Sequence, residues 1–599
     1  MESKLPSTLV VCALLTSNLN AQNSGTLNIN DVEMRVYSNG DIGRAQGDTQ
    51  PGFVVPASSG VSPLYSAGLW LGGLTSDGQL KLAAHMYGTG GTDFFPGPLT
   101  VDGSASITQQ VSDAYDQVWT VNNADVLVHR AYFDCINDPN CDVNVEFPNG
   151  YTVPSNFVNW PANGNAAAGQ DLYLAPFTDH DGDGFYDPFA GDYPCVPGDQ
   201  ALYTIFNDKL APHTESGGDQ IGVEIHMMPF AYSTAGPALA QTVFVHYTVI
   251  NRGTQTLTDF RIGHFEDFDI GCPEDDFAAT DVGRNLIYAY NWDVNDETCQ
   301  GGSALGYGPQ PPAFGMTLLK GPLMDADATD NSTDPPLQAF NGSGFSDGII
   351  DNERNGLTNS IFMNRQGPTE QTAPGTPIQY YQYLRSIWKD GRPLSYGGNG
   401  YSNNPTALSC SFQFPMNSDP LGVGTNGIPQ LDWRELAPTP ASPDRSGVAT
   451  FGSITLEPGA EHDLLIAYVF ARDPSNSLYS VTALQQRVDS VAAFAATIPG
   501  IMAEGNACDG FATGIADRHA QTTSLGMQPV PATDRLTVNT TGIRSGTALT
   551  IIDARGKEVA EHVVRGSATV LDLSTLQAGV YMIRIVQGDG VRTGRFVKQ

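Results

Sequence analysis

Five of the fourteen residues in DHDGDGFYDPFAGD, positions 179 to 192, are aspartates. Asp179, Asp181, Asp183, Gly184, Phe185 and Asp187 fall at positions 1, 3, 5, 6, 7 and 9 of an EF-hand-type calcium loop. Alternating carboxylates let one tight loop aim its oxygens inward, glycine at the sixth position permits the sharp turn, and Phe185 would contribute its backbone carbonyl. Position 12, where a bidentate glutamate belongs, is Ala190, and the flanks are not two amphipathic helices. The stretch is therefore a DxDxDG loop outside an EF-hand, with Asp192 placed to supply the missing ligand. The chemistry expected is structural Ca²⁺ binding. The competing reading is a surface turn whose aspartates only cap backbone amides.

A second acidic group, Glu266, Asp267, Asp269, Glu274, Asp275, Asp276 and Asp281, follows a strand-like run. On a strand Asp267 and Asp269 share a face, which suits a metal or an acid–base pair. Asp267, Asp269, Asp275 and Asp276 are the residues for a possible second metal site. A solvated loop is the plain alternative, and a glycosidase-type carboxylate pair among Glu266, Asp267 and Asp269 the catalytic one. A third stretch, SDGIIDNERNG, groups Asp347, Asp351, Asn352 and Glu353 and reads as a turn. The ten histidines form no HExxH, and no GxSxG, P-loop or dinucleotide glycine motif occurs. No catalytic residue is assigned. His246 and His264 lie on neighbouring strand-like runs and are candidates to meet. Trp70, Trp160, Trp388, Tyr380, Tyr381, Phe94 and Phe95 read as core before they read as sugar-stacking platforms.

These residues must be positioned by strands. Gly 65 and Pro 40 in 599 residues, with abundant Asn, Asp, Ser and Thr, predict a turn-rich, mainly β chain of several domains. Residues 22–225 are loop-rich, with strand-like runs at 66–74 and 116–121. QTVFVHYTVINRGTQTLTDFRIGHFEDFDIG, from 241, reads as two strands paired through NRGTQT. ATFGSITLEPGAEHDLLIAYVFA, from 449, reads as a second such pair around Glu457, Pro458, Gly459 and Ala460. Together they predict a β-sandwich over 226–499 with a long insertion at 300–440 carrying binding surface. Leu484, Val488, Val491 and Ala495 predict one helix on the C-terminal side, ended by Pro499 and Gly500. A linker is expected at 500–526, then six short strands over 527–599 forming a small immunoglobulin-like sandwich.

Composition narrows the partners. Asp+Glu 64 against Lys+Arg 29 gives a formal net charge of −35, a surface that repels phosphate backbones and anionic lipid and excludes nucleic acid as a partner. Residues 1–21 read as a signal peptide, with Lys4 before an apolar run from Leu9 to Leu15 and Ala21 before the cut. No transmembrane segment is expected. Outside that leader remain Cys135, Cys141, Cys195, Cys272, Cys299, Cys410 and Cys508. Cys135 with Cys141, bracketing INDPN, is the simplest disulfide pair and Cys272 with Cys299 the next, and an odd count leaves one thiol over.

PVPATDRLTV (529–538), IIDARGKEV (551–559), LDLSTLQAGVYMIRI (571–585) and the terminal RFVKQ resemble the type A sorting domain of the type IX secretion system of Bacteroidota. Val530 stands where that family usually has Asn. The resemblance implies passage to the periplasm, recognition of 527–599 by the secretion machinery, and a mature form that is released or held at the outer surface. AGLWLGGL, NWPANGN, LAPFTDHDGDGFYDPFAGDYPCVPGDQALYTIFND and QYYQYLRSIWKDGRPLSYGGNGY make the passenger similar to a group of large secreted proteins of the same bacteria with no assigned activity. The expected function is a secreted or cell-surface, calcium-stabilised binding or adhesion protein, non-enzymatic, with a glycan or surface protein as ligand. The alternative is a carbohydrate-active enzyme using the carboxylates of 266–281.

Overall fold

The computed structural model describes residues 23–43, 51–87, 91–233, 236, 238–334, 337–435, 444–475, 477–502, 525, 527–529, 532–541, 543–553, 557–577, 579–587 and 590–598. The expected signal peptide, Cys508, most of the expected linker, Val530 and the turn at 554–556 lie outside the described residues. The chain divides into two compact units. One comprises the described residues of Met1–Pro98, Ala105–Thr120 and Leu202–Asp489; the other, those of Leu99–Ser104, Val121–Ala201 and Ser490–Gln599.

Two nine-stranded sheets dominate the first unit. Sheet A runs Ser24–Leu27, Glu33–Tyr37, Ile42–Gly43, Leu64–Leu74, Leu257–Phe268, Arg445–Leu456, Leu357–Asn364. Sheet B centres on Leu286–Asn291, Ala313–Lys320, Glu461–Ala471, Thr242–Asn251 and Val223–Ala231. Aromatic rings from the two sheets meet edge to face: Phe53 of sheet A lies 5.2 Å from Phe314 and 5.5 Å from Tyr468 of sheet B, and Phe268 lies 6.1 Å from Phe314. The interior of this mainly β fold is thus a sandwich core.

The two expected strand pairs form in a different way. Thr242–Asn251 and Leu257–Phe268 do not pair with each other but lie in opposite sheets, and NRGTQT arches between them. Arg445–Leu456 and Glu461–Ala471 are likewise split between sheets A and B. Each strand pairs instead with its counterpart in the other arch: Thr242 faces Val469 in sheet B, and Leu257 faces Leu456 in sheet A. The arches are bonded to one another at their bends, Asn251 N–H donating to the Ala460 carbonyl at 3.0 Å and Gly459 N–H to the Asn251 carbonyl at 2.8 Å. A hairpin and an arch share the same local pattern of two apolar runs and a turn; only the partner strands distinguish them.

The long insertion also proves less loop-like than its composition implies. It gives Ala313–Lys320 to sheet B and Leu357–Asn364 to sheet A. Its short helix Pro377–Tyr383 then covers the outer face of sheet A, with Tyr380 4.7 Å from Trp70. Gly263 makes that approach possible, because a β-carbon there would stand 2.2 Å from the Leu384 Cδ2.

The expected helix is present as Ser477–Ala495, with Leu484, Val488, Val491 and Ala495 buried. A fifteen-residue helix, Asn123–Asn137, was not expected. It buries only Val126, His129 and Cys135 and leaves Leu127, Val128 and Ile136 half exposed or more, so its apolar stripe is blurred. Cys135–Cys141 and Cys272–Cys299 are bonded, Cys195 is also in a disulfide, and Cys410 is a buried free thiol.

At the C-terminus, Met527–Gln528, Arg535–Asn539 and Ala568–Asp572 form one sheet. Glu558–Val563, Ala548–Asp553, Gly579–Gln587 and Gly590–Lys598 form another. Leu536, Val538, Leu549, Ile551, Leu571, Ile583, Ile585 and Phe596 close a common core, as the alternation in the sequence predicts.

Replacing Gly263 by Val forces Leu384 and its segment off sheet A. Urea unfolding of Gly263→Val should show a loss of about 1–3 kcal/mol, and an unshifted midpoint would contradict this packing.

Candidate metal centre

The aspartate loop is built on a short two-stranded ribbon, Phe177–Thr178 with Tyr193–Pro194, which brings residues 179 and 192 together at its open end. Three side chains converge: Asp179, Asp181 and Asp183 each offer a carboxylate oxygen, all within 4.8 Å of one another. Ca²⁺ binds oxygens at about 2.3–2.6 Å, so oxygens on one ion lie at most about 5 Å apart. The donor set fits.

The loop's backbone is folded around those carboxylates. Asp179 accepts from Gly182 N–H at 2.7 Å and from Gly184 N–H at 2.8 Å, and Asp183 accepts from Phe185 N–H at 2.7 Å. Gly182 and Gly184 both have positive φ, 77° and 82°, which glycine adopts without strain. Outside the loop, Tyr173 donates its hydroxyl to the Gly184 carbonyl and Asn163 accepts from Tyr186 N–H. Phe185 leaves its ring 49% exposed.

Asp192 sits at the base of the loop. It is fully buried, and its two oxygens accept from His180 N–H and Asp187 N–H, each at 2.7 Å. Asp187 accepts from Phe189 N–H. Neither belongs to the converging trio. Burial raises the Asp192 carboxyl to about 6, against the pull of those two amides. Asp192 closes the loop by tying its two ends.

In the second acidic stretch, strand pleating separates neighbours. Glu266 points into the sandwich core, where His264 Nδ1 lies 2.8 Å from its Oε1 and the Tyr468 hydroxyl donates to it at 3.2 Å. His264 Nε2 meets the Tyr247 hydroxyl at 3.1 Å, whereas His246, beside Tyr247 and so on the other face of its strand, lies 3.8 Å from Asp463. The two histidines do not meet. Asp267 points the other way, and its oxygen converges with those of Asp269 and Asp444 within 4.8 Å. Asp275 and Asp276 stand outside that group; Asp276 accepts from Ile270 N–H at 2.7 Å. Cys272, Glu274 and Cys299 also cluster, but the two sulfurs are joined in a disulfide and offer no thiolate.

In the third stretch the acids serve turns. Asp351 accepts from Asp327 N–H and Ala328 N–H, both at 2.8 Å, and Asp347 from Ile349 N–H at 2.9 Å. Trp70, Trp160, Trp388, Tyr380, Tyr381 and Phe94 are buried, in keeping with their reading as core.

Sequence reasoning missed one polar cluster. His85 Nδ1 lies 2.6 Å from Asp41 Oδ1, both side chains being buried. Asp93 beside them accepts from Glu215 N–H and Ser216 N–H. No motif links 41, 85, 93 and 215, because three separate loops deliver them. Burial raises Glu215 to about 7 from an ordinary 4.5, only partly offset by His85, with Asp93 and Asp41 adding to the rise. Native Glu215 therefore holds its proton where the unfolded chain has released it. Its contribution to stability is full below pH 4.5 and is lost as the pH rises to about 7. Glu215→Gln should flatten that part of the profile, and thermal melts across the window check it; an unaltered slope would remove Glu215 as its source.

With the fold and these sites in place, the chain is an antiparallel β-sandwich protein bearing acidic loops and ending in a separate small sandwich. Residues 527–599 match the family described as "Secretion system C-terminal sorting domain". They are the type A sorting domain of the type IX secretion system, and the protein is exported by that route to the cell surface or exterior. Comparison with curated proteins finds no match. Among solved structures the chain is similar to a polysaccharide lyase at 8% identity with a TM-score of 0.18, over 71% of this chain and 39% of that one. The chain thus spans well under two thirds of that protein, and a likeness of this size carries no argument. Among the described residues no helix is long and apolar enough to cross a membrane.

Proposed function

We propose that this exported protein is a non-enzymatic binding or adhesion protein of the cell exterior whose 179–187 loop is set by structural Ca²⁺. The observation that carries the calcium reading is the convergence of Asp179, Asp181 and Asp183 on an exposed loop held open by two left-handed glycines. Oxygen-only ligands of this charge suit a hard cation at the millimolar calcium levels of extracellular modules. The ligand is a glycan or a surface protein, met through the loops that rim the sandwich.

The carbohydrate-active alternative loses its machinery to the pleat of strand Leu257–Phe268. Glu266 faces the sandwich core and Asp267 the opposite side, so the two cannot flank one glycosidic bond. Of the aromatic residues that would line a sugar groove, Trp70, Trp160, Trp388, Tyr380, Tyr381 and Phe94 are packed in the core, and Phe95 is half-buried.

Chelation should separate these readings. EDTA should lower the melting temperature of the exported protein and Ca²⁺ restore it, while Asp179→Asn with Asp181→Asn should abolish the calcium response. A melting temperature indifferent to calcium refutes the loop site. Binding to glycan and surface-protein arrays, with and without calcium, identifies the ligand class, and release of new reducing ends from any glycan would establish the enzyme instead. Deleting 527–599 should leave a folded passenger in the periplasm; surface display of that truncation would contradict its dependence on the sorting domain.

A further inference from the structure

Sheet A holds a second set of carboxylates, in a position where negative charge is hard to keep. Leu257–Phe268 pairs with Arg445–Leu456 so that Asp267 faces Ser446. Continued past the end of the strand, the same antiparallel register sets Asp269 opposite Asp444. Like charges in facing positions of neighbouring strands repel, yet Asp267, Asp269 and Asp444 bring oxygens within 4.8 Å of one another.

The local charge balance is incomplete. Arg365 Nη1 lies 3.0 Å from Asp444 Oδ2, but the arginine side chain is 66% exposed and neutralises Asp444 from the solvent side. Asp267 is only 6% exposed. The Tyr87 hydroxyl lies beside its carboxylate, and Asp267 Oδ1 is buried with no hydrogen-bond partner. A buried carboxylate oxygen left in this state costs free energy unless a proton or a cation reaches it. Three carboxylates whose oxygens converge within the span of one calcium shell, one of them, Asp267, carrying a buried oxygen with no partner, are a cation-binding geometry.

We propose that Asp267, Asp269 and Asp444 form a second, partly buried divalent-cation site, taking Ca²⁺, that fastens the end of Leu257–Phe268 to the start of Arg445–Leu456. Asp444 is the ligand that no spacing in the sequence announces. The ion would cancel the repulsion across the two strands at the point where the chain re-enters sheet A after the long insertion. Water and backbone carbonyls complete its shell. The site is independent of the 179–187 loop, and its test does not rest on that loop binding metal.

The test uses the full-length exported protein carrying Asp179→Asn, Asp181→Asn and Asp183→Asn, so that any contribution of the first loop is removed. Equilibrium dialysis against Ca²⁺ should find one equivalent in this background that disappears when Asp267→Asn and Asp444→Asn are added. Tb³⁺ in place of Ca²⁺ should emit under tyrosine excitation, because the Tyr87 hydroxyl rests on Asp267. An unchanged number of calcium equivalents in the folded five-fold variant overturns the proposal. So does the absence of any bound equivalent in the three-fold background, the result expected if the carboxylates share a proton instead. Should the five-fold variant fail to fold, Tyr87→Phe in the three-fold background keeps the ligands intact. It should retain the calcium equivalent and lose at least half of the Tb³⁺ emission; undiminished emission would place the ion elsewhere.

Discussion

The pairing of two arches holds the sandwich together. Thr242–Asn251 and Leu257–Phe268 leave one bend into opposite sheets, and Arg445–Leu456 and Glu461–Ala471 do the same from another. Each sheet is sealed only when the second arch is laid on the first. Asn251 at the first bend donates through its side chain to the Leu456 carbonyl, 205 residues further on. Contacts of that range are costly to close in entropy. What lies between must therefore fold back compactly, and it does so by giving a strand to each sheet and a tyrosine-rich helix to the outer face of sheet A. A segment with the composition of a loop thereby becomes part of the core.

The same scaffold explains the handling of charge. At −35, the chain is far from neutral, which keeps an exported protein soluble but leaves few cations for carboxylates that enter the interior. Some acids are matched by bases: Glu224 by Arg252 at 2.7 Å, Asp463 by Arg354 at 3.1 Å. Others bind the backbone, as Asp192 and Asp276 do through the amides that face them. A few are held close together with fewer bases than acids, as Asp267, Asp269 and Asp444 are with Arg365, and at those places the fold has the most to gain from a divalent ion. Burial and like charge raise Asp267 well above the ordinary carboxylate range, the electrostatic mark of such a place.

The parts that were legible in the sequence are those set by neighbours along the chain. The spacing of Asp179, Asp181 and Asp183 and the glycines between them fixes a tight loop with inward oxygens, because each aspartate caps an amide two to five residues away. The short alternating runs of 527–599 marked six strands where the structure has seven, the added one being Met527–Gln528. Leu484, Val488, Val491 and Ala495 marked their helix, since one face of a helix is written at every third or fourth position. The blurred stripe of Asn123–Asn137 hid a helix for the converse reason. Asp192 stands outside the converging trio and turns to two amides instead, because proximity in sequence does not say which way a buried carboxylate turns.

The sequence by itself determined the export address, the β class, the acidic loop and the two local disulfides, Cys135–Cys141 and Cys272–Cys299, all of which depend on residues close together in the chain. Only the tertiary structure decided that two apparent hairpins are arches and that Glu266 and Asp267 face opposite sides of their strand's sheet. It alone brought Asp444 to Asp269 and Asp41 to His85. The reason is physical: an apolar run specifies that one of its faces must be buried, but not by which strand, and the register that sets distant carboxylates side by side exists only once that partner has been chosen.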